Sequence, residues 1–281
     1  MFDCHIHSGL NPASKRQFLE KLQESGMKGG IVMSAVPPSF GEGDPKTLKS
    51  SMRLNSLMNF VKGEKNLFPF YWIDPLENDA LKQVDAAVGA GVMGFKIICN
   101  NFYIREKKPL AVVKAIAQKS KPILFHSGIL WDNGDSARFN RPAEFEALIN
   151  VPGLRFALAH ISWPWTDECI ALFGKFLASG RDIDMYIDTT PGTPPIYREE
   201  ALKRLFGVGY DVEKKVLFGS DCSTVNYNVK WVKDWVKRDK KILTKQGISK
   251  SSLGFIFGDN LLRFVGLRND AVNRKQLSPG I

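Results

Sequence analysis

The sequence predicts an α/β fold of the (β/α)8 TIM barrel type, formed by a single domain. Eight short apolar segments of strand length recur along the chain, and stretches with helical periodicity separate them. The segments show little alternation of polar and apolar residues, which is typical of parallel strands buried on both faces. Eight such units close a barrel, and 281 residues suit its usual length.

The predicted strands are spread over most of the chain. They are Met1–His7, Gly30–Ala35, Phe68–Ile73, Gly94–Ile98, Pro122–His126, Arg155–His160, Met185–Asp188 and Val216–Ser220. A doubly wound open sheet is the competing fold, and it normally carries a glycine-rich phosphate loop after its first strand. The first strand here is followed by Ser8 and Gly9 without such a loop, which favours the barrel.

Between the strands, helical periodicity predicts the covering helices of the barrel. The segment from Ser14 to Gln17 has the form of a capping box that opens a first helix, and Gly26 is placed to end it. Further helices are expected at Leu81–Ala90, Leu110–Lys119, Ala143–Ile149 and Glu168–Ala178. The barrel is expected to occupy residues 1–267, with a polar C-terminal tail over residues 268–281.

Composition indicates a globular enzyme of a reducing compartment. Hydrophobic residues make up 44% of the chain and charged residues 24%, which excludes a disordered chain. No apolar run approaches the ~20 residues of a membrane span, and the first residues lack a secretory apolar segment. The four cysteines lie far apart, which argues against a disulfide framework or a thiolate zinc site. We therefore expect a cytoplasmic enzyme that acts on a small molecule and has no membrane partner.

The net charge of +10 is concentrated in one predicted helix. Between Lys230 and Lys250, basic residues alternate with Trp231, Val232, Trp235 and Val236 in an amphipathic pattern. A basic face can attract nucleic acid or an acidic surface. Because no recognition motif accompanies it, a solvated outer face is favoured, and no nucleic-acid partner is expected. The sequence leaves a homo-oligomer open.

All four histidines lie at the carboxyl ends of predicted strands. His5 and His7 end the first strand, His126 the fifth and His160 the sixth, while Asp221 follows the eighth. In a barrel these strand ends meet at one mouth, where active sites lie. A single histidine there has an ordinary structural explanation, but the joint placement predicts a metal site. Imidazoles with a carboxylate suit zinc, and also manganese, iron, cobalt or nickel.

These residues resemble the amidohydrolase superfamily. The pattern consists of Asp3-x-His5-x-His7, the isolated histidines on strands five and six, and Gly219-Ser220-Asp221. The later stretch Ile256–Phe264, with the sequence IFGDNLLRF, is similar to the closing helix of the amidohydrolase-2 branch. The resemblance implies a metal-dependent TIM-barrel enzyme. Most members are hydrolases, and this branch also contains decarboxylases and lactonases.

The resemblance also implies roles for individual residues. His5, His7, His126 and Asp221 would hold a divalent metal, which lowers the pKa of a bound water to about 7. Asp221 would accept the proton of that water and deliver it to the leaving group. His160 would either bind a second metal or orient the water and stabilise the developing oxyanion.

Lys96 and Asp3 are the two charged residues whose roles stay open. Lys96 lies in the apolar fourth strand, where burial is costly unless its charge is used. It is interpreted as a free ammonium facing the substrate, as a carboxylated lysine bridging two metals, or as an outward structural residue. Asp3 lies on the same face as His5 and His7, where it would anchor an imidazole N–H or form a salt bridge in the barrel floor.

Substrate contacts are expected from Lys96 and from the loops that follow the strands. The candidates in these loops are Trp131, Arg138, Arg141, Trp163, Trp165, Thr189 and Thr190, and we favour Trp131, Arg138 and Trp163. Arginines suit a carboxylate-bearing substrate, and tryptophans would enclose an apolar portion. Cys99 and Cys222 also fall near the mouth, but without an adjacent base we expect them to be inert.

Together these observations predict a metal-dependent hydrolase that cleaves an amide, lactone or ester bond of a small, carboxylate-bearing substrate. Zinc is the favoured metal. The alternative enzyme is a metal-dependent non-oxidative decarboxylase of an aromatic or unsaturated carboxylic acid. A catalytically silent barrel that only binds a ligand is the third interpretation, and the intact set of ligating residues argues against it.

Overall fold

The structure is a computed structural model that describes residues 1–40, 49–132 and 134–268. Its strands form one parallel sheet. They are β1 (Asp3–His7), β2 (Gly30–Met33), β3 (Leu67–Trp72), β4 (Gly94–Ile97), β5 (Ile123–Phe125), β6 (Leu154–Leu158), β7 (Ile183–Asp188), β8 (Val216–Leu217) and β9 (Cys222–Ser223). From β1 to β8 each strand pairs with the next strand along the chain, and β9 pairs with β1.

The short strands β8 and β9 act as two halves of one closing strand. β8 pairs with β7, and β9 pairs with β1. Between the two halves, the Cys4 N–H donates to the Phe218 carbonyl over 2.9 Å, and the Asp221 N–H donates to the His5 carbonyl over 3.1 Å. The sheet therefore closes on itself, which confirms the predicted barrel.

Helices cover the outside of the barrel. They are α1 (Lys15–Glu24), α2 (Ser50–Val61), α3 (Ala80–Ala90), α4 (Lys107–Gln118), α5 (Thr166–Ala178), α6 (Pro195–Gly207), α7 (Val229–Lys245), α8 (Lys250–Gly254) and α9 (Asn260–Phe264). The connection from β5 to β6 is a 3-10 helix over Pro142–Asn150, not the α-helix predicted for that region. The sequence patterns did not predict α2 and α6.

The beginning of α1 corrects one local prediction. The helix begins at Lys15, directly after Ser14, but the Ser14 side chain makes no capping hydrogen bond. The predicted capping box is therefore wrong, and only the Ser14 carbonyl takes part, by accepting from the Phe18 N–H. The predicted end of the helix is confirmed, because α1 ends at Glu24 and Gly26 follows with φ of 83°.

The lower half of the barrel interior is filled by apolar side chains. Ten of them come from the strands and the residues that follow them: Cys4, Ile31, Met33, Phe68, Phe70, Leu124, Ala157, Ala159, Tyr186 and Leu217. Leu261, Phe264 and Val265 of the C-terminal helical segment complete the cluster. The Asn260 side chain fixes α9 there by donating to the carbonyls of Glu213 and Val216 over 2.7 and 2.8 Å. The amino ends of the strands are thus plugged, which leaves the carboxyl ends for a site.

The basic segment forms helix α7, as its pattern predicts. Val232 and Trp235 are buried against the barrel, while Lys233, Lys237 and Lys241 are exposed. Among the described residues, no helix is both long and apolar enough to cross a membrane. The predicted C-terminal tail lies outside the described residues, apart from Arg268.

Removal of side-chain volume from the barrel floor should destabilise the protein. Leu261 is 3% exposed and Leu267 is 54% exposed, so the same Leu→Ala change tests burial at two nearby positions. We expect Leu261→Ala to lower the free energy of unfolding by about 2–5 kcal/mol. Leu267→Ala should change it by less than about 0.5 kcal/mol. Urea unfolding measures both values, and equal losses in the two variants would contradict the described floor.

Candidate active site at the carboxyl ends of the strands

A cavity of about 670 Å³ opens at the carboxyl ends of the strands. Six polar side chains that the sequence analysis singled out line it together: His5, His7, Lys96, His126, His160 and Asp221. They come from β1, β4 and the segments that follow β5, β6 and β8. The barrel therefore brings residues from distant parts of the chain to one mouth, as expected for this fold.

His5, His7 and Asp221 form the tightest group in the cavity. One nitrogen or oxygen atom of each lies within 4.8 Å of the others. The Nε2 atoms of His7 and His5 lie 3.1 and 3.5 Å from the same oxygen, Oδ1 of Asp221. Asp221 reaches this position from the break in the closing strand, where its φ is 61°. Such a left-handed conformation is uncommon outside glycine, and it turns the carboxylate toward the two imidazoles.

His126 and His160 lie beside this group. The His160 ring centroid is 5.2 Å from that of His5 and 4.9 Å from that of His126. Nε2 of His126 and Nδ1 of His160 are buried and have no hydrogen-bond partner within the described part of the chain. A buried polar atom without a partner is costly, so these nitrogens are suited to a ligand. His126 is not one of the three residues in the tightest group, and its role as a metal ligand stays a prediction.

His160 does not end a strand, contrary to the prediction from the sequence. β6 ends at Leu158, and His160 lies in the short 3-10 segment Ala159–Ser162. Its φ is 61°, and Ile161 continues with 50°. The left-handed turn places the ring over the strand end, so the histidine still reaches the cavity.

The donor set fits a divalent cation. Burial, reinforced by the charge of Lys96, lowers the pKa of His5 to about 4, and burial also holds the pKa of His126 well below its usual value. Both rings are therefore neutral near pH 7 and keep a nitrogen lone pair. Burial alone would raise the pKa of Asp221, but the hydrogen bond from His7 and the nearby His5 and His160 hold it below its usual value. Neutral imidazoles with an ionised carboxylate are the ligands that zinc and related cations prefer.

Lys96 points into the barrel. Its side chain is 1% exposed and lines the cavity, so the interpretation as an outward structural lysine is wrong. Burial lowers its pKa to about 8, although the charges of Asp188 and Asp221 oppose that shift. The choice between a free ammonium that faces the substrate and a carboxylated lysine that bridges two metals stays a prediction.

Asp188, at the end of β7, is a site residue that the sequence analysis missed. Its Oδ2 lies 2.8 Å from Nδ1 of His5, and it is fully buried. Burial would raise the pKa of this carboxyl, but the hydrogen bonds from His5 and from the Thr190 hydroxyl help to lower it to about 2. Asp188 is the last residue of the predicted seventh strand, so the strand-end rule that selected the histidines could also have indicated it.

Asp3 has a different role from the predicted ones. Its carboxylate accepts from the backbone N–H groups of His5 and Ser220 over 3.0 and 2.9 Å, and from the Tyr227 hydroxyl over 2.8 Å. It contacts no imidazole N–H and forms no salt bridge with a described residue, so both predictions are wrong. Asp3 instead joins β1 to the closing strand. Burial raises its pKa to about 6 against those hydrogen bonds.

Two of the predicted substrate-binding residues lie away from the cavity. Arg138 pairs with Asp135 over 3.3 Å and lies over the Phe139 ring at 4.8 Å. The Trp163 ring stacks on Tyr197 with the centroids 6.1 Å apart. Neither is among the residues that line the cavity, so a role of Arg138 or Trp163 in substrate binding stays a prediction that the structure does not support. Arg138 and Trp163 each contact neighbouring side chains that the sequence analysis did not consider.

The other loop candidates divide in the same way. Trp131 lines the cavity and is 79% exposed, as expected for a residue at its mouth. Arg141 instead forms an ion pair with Glu168 and lies over the Trp165 ring. The Thr189 and Thr190 hydroxyls donate to the Leu217 carbonyl and to Asp188, so they support the backbone at the strand ends.

An aromatic wall was also missed. The Trp72 ring lies 5.8 Å from the His7 ring and 5.4 Å from Phe40, and both aromatic residues line the cavity. Trp72 ends β3, so the rule that placed the histidines could have indicated it. Burial raises the pKa of both Cys99 and Cys222. Their thiols therefore stay protonated, in agreement with the expectation that they are inert.

No protein-family model matches the chain, and no curated protein matches it in sequence. Solved structures do match. An amidohydrolase II is 15% identical, with a TM-score of 0.67 over 94% of this chain and 99% of its own. The chain shares the TIM-barrel fold of this amidohydrolase.

Two further structures share it. A probable 2-pyrone-4,6-dicarboxylic acid hydrolase from Acinetobacter baumannii, with citric acid bound, is 12% identical. Its TM-score is 0.64 over 94% of this chain and 98% of its own. An amidohydrolase from Burkholderia ambifaria, with bound zinc, is also 12% identical, and its TM-score is 0.53 over 89% of this chain and 67% of its own. At such identities the likeness establishes the fold.

The buried histidines should make the metal-free protein less stable in acid. The unfolded chain titrates its histidines near about pH 6.5, whereas the folded protein keeps the pKa of His126 well below that value. Below the unfolded value the unfolded state therefore binds more protons, and the free energy of unfolding falls as the pH falls. For one such histidine the slope approaches about 1.4 kcal/mol for each pH unit.

The variant His126→Asn isolates this contribution. We expect its stability relative to the wild type to rise as the pH is lowered from about 7 to about 5, as measured by urea unfolding without metal. Between about pH 7 and 8 the gap should stay constant, because these imidazoles do not titrate there. A gap that is constant over the whole range would show that the buried ring is not held neutral.

Proposed function

We propose that the protein is a metal-dependent hydrolase of the amidohydrolase superfamily, in its amidohydrolase-2 branch. The observation that carries the proposal is the convergence of His5, His7 and Asp221 within 4.8 Å at the open end of the barrel. His126 completes the proposed metal-binding set. Zinc is the proposed metal, since it suits two or three imidazoles with one carboxylate. The zinc-bound amidohydrolase of the same fold supports this choice.

Asp221 and His160 have separate roles in the proposed reaction. A bound divalent cation would supply a Lewis acid and lower the pKa of water. The ionised carboxylate of Asp221 accepts a proton from a water molecule in the cavity and returns it to the leaving oxygen or nitrogen. His160, whose Nδ1 is free of described partners, orients that water or donates to the oxygen on which charge develops.

The proposed substrate is a small molecule with a carboxylate group, cleaved at an amide, lactone or ester bond. The Lys96 ammonium is buried in the cavity wall, where a carboxylate would pair with it. Phe40, Trp72 and Trp131 would enclose the apolar portion. The structure with bound citric acid belongs to a protein of the same fold whose name indicates a dicarboxylate substrate, which supports the proposed class.

Loss of the Asp221 carboxylate should remove the metal and the activity together. In Asp221→Asn and in His5→Ala we expect less than about a tenth of a metal equivalent after gel filtration, with the fold retained. Elemental analysis and circular dichroism measure both properties. Asp135→Asn is the matched control, because Asp135 is exposed and pairs only with Arg138 among the described residues.

The same preparation tests the proposed reaction. Wild-type protein should hold one metal ion per chain regardless of bicarbonate, because Lys96 acts as a free amine. It should hydrolyse members of a panel of lactones, esters and amides. A full metal equivalent in both Asp221→Asn and His5→Ala would refute the metal site, and CO₂ release from aromatic acids would favour the decarboxylase instead.

The side chains around the mouth should contribute unequally to substrate binding. We expect Trp131→Ala to raise KM by about tenfold, because the ring lines the cavity and shields substrate from water. Arg138→Ala should leave KM within about twofold, since its guanidinium is held by Asp135. Steady-state kinetics on the best substrate of the panel measure both values. A larger increase in KM for Arg138→Ala would show that this arginine contributes to substrate binding.

A further inference from the structure

Asp188 uses both of its carboxylate oxygens inside the protein. Oδ2 lies 2.8 Å from Nδ1 of His5, and Oδ1 accepts from the backbone N–H of Thr190 over 2.6 Å and from its hydroxyl. Among the described residues, the ion-pair partner of Asp188 within 4.0 Å is His5. Asp188 therefore binds His5 and its own turn, and it is not among the residues that line the cavity.

The contact with Asp188 determines which His5 nitrogen carries the proton. An ionised carboxylate can only accept hydrogen bonds, so Nδ1 of His5 must be the donor. In a neutral imidazole the proton on Nδ1 leaves Nε2 with a free lone pair. That nitrogen faces Asp221 at 3.5 Å, on the side of the cavity where a cation would lie.

We propose that Asp188 is a positioning residue that fixes the tautomer and the ring orientation of His5. Without it, a buried imidazole would adopt either tautomer, and only one of them presents a lone pair to the cavity. The hydrogen bond also restricts rotation of the ring. The side chain therefore loses little conformational entropy when Nε2 binds a cation. The consequence for metal affinity rests on the proposed function, whereas the tautomer itself does not.

The position of Asp188 is in turn fixed by the outer helices. Arg198 of α6 is fully buried and donates to the carbonyl of Thr189, the next residue along the chain, over 2.5 Å. Its guanidinium also binds both carboxylate oxygens of Asp239 on α7, over 2.9 and 2.6 Å. A bidentate buried pair of this kind holds a fixed geometry. The end of β7 is thus anchored to two helices. Because Asp188 is held in place in this way, it can fix the orientation of the His5 ring.

The alternative role for Asp188 is purely structural, as the acceptor that shapes the turn at Thr190. The two roles make different predictions. A structural residue would affect the stability of the fold and leave the protonation of the His5 ring unchanged. A positioning residue affects the ring directly, and Thr190→Val, which removes one bond to the carboxylate but leaves His5 in contact, should preserve the tautomer.

The first experiment observes the imidazole in the metal-free protein. Nitrogen NMR of ¹⁵N-histidine-labelled wild type at about pH 7.5 should show His5 protonated at Nδ1 and bare at Nε2, with assignment from the spectrum of His5→Gln. In Asp188→Ala the Nε2-protonated form should become the major one. A wild-type ring protonated at Nε2, or an unchanged tautomer in Asp188→Ala, would overturn the proposal. If Asp188→Ala does not fold, Asp188→Asn is measured in its place, and an unchanged tautomer in that variant would also overturn the proposal.

The second experiment measures zinc affinity by competition with a chromophoric chelator. We expect Asp188→Asn to weaken zinc binding by about 10–100-fold. Asp184→Asn is the matched control, since Asp184 is the second residue of the same strand, is 38% exposed and pairs with Lys215. Its zinc affinity should stay within about twofold of that of the wild type. An Asp188→Asn affinity equal to that of the control would overturn the positioning role. If the wild type binds no zinc, the proposed function fails, and the NMR result alone decides the role of Asp188.

Discussion

The backbone hydrogen bonds between β1 and the interrupted closing strand are the interaction on which the site depends. They close the barrel through Cys4 and Phe218, and one step further through His5 and Asp221. The carbonyl of His5 thus receives the Asp221 N–H while the two side chains meet in the cavity. The same residues therefore close the sheet and form the candidate metal group. Asp3 stabilises this closure by accepting a hydrogen bond from the Ser220 N–H.

The charges at the bottom of the cavity are arranged for a cation. Asp188 and Asp221 are both ionised, whereas Lys96 is the single ammonium in the cavity wall among the described residues. The imidazole of His5 is kept neutral by burial. Uncompensated charge in a poorly solvated site is costly, and a divalent ion would offset the excess of carboxylates.

The sequence predicted the features that repeat along the chain and missed those that depend on distant or local partners. Apolar segments at regular intervals predicted the barrel, and residues at strand ends predicted which side chains meet. The pairing of Asp188 with His5 joins positions 183 residues apart, and no local pattern reveals it. Arg138 was expected at the cavity, but it pairs with Asp135 and is not among the residues that line the cavity, so the composition of a loop does not determine where its side chains point.

The plugged floor has a consequence for how the chain is made. β1 leaves the ribosome before the other strands of the barrel, but its partner on one side, β9, and the helix α9 that seals the barrel follow more than 200 residues later. Until then the edge of β1 beside His5 and His7 has no strand to bond, and exposed edges invite pairing with other chains. During synthesis, the strand that carries His5 and His7 therefore has an unpaired edge for a long interval, in which it can pair with other chains.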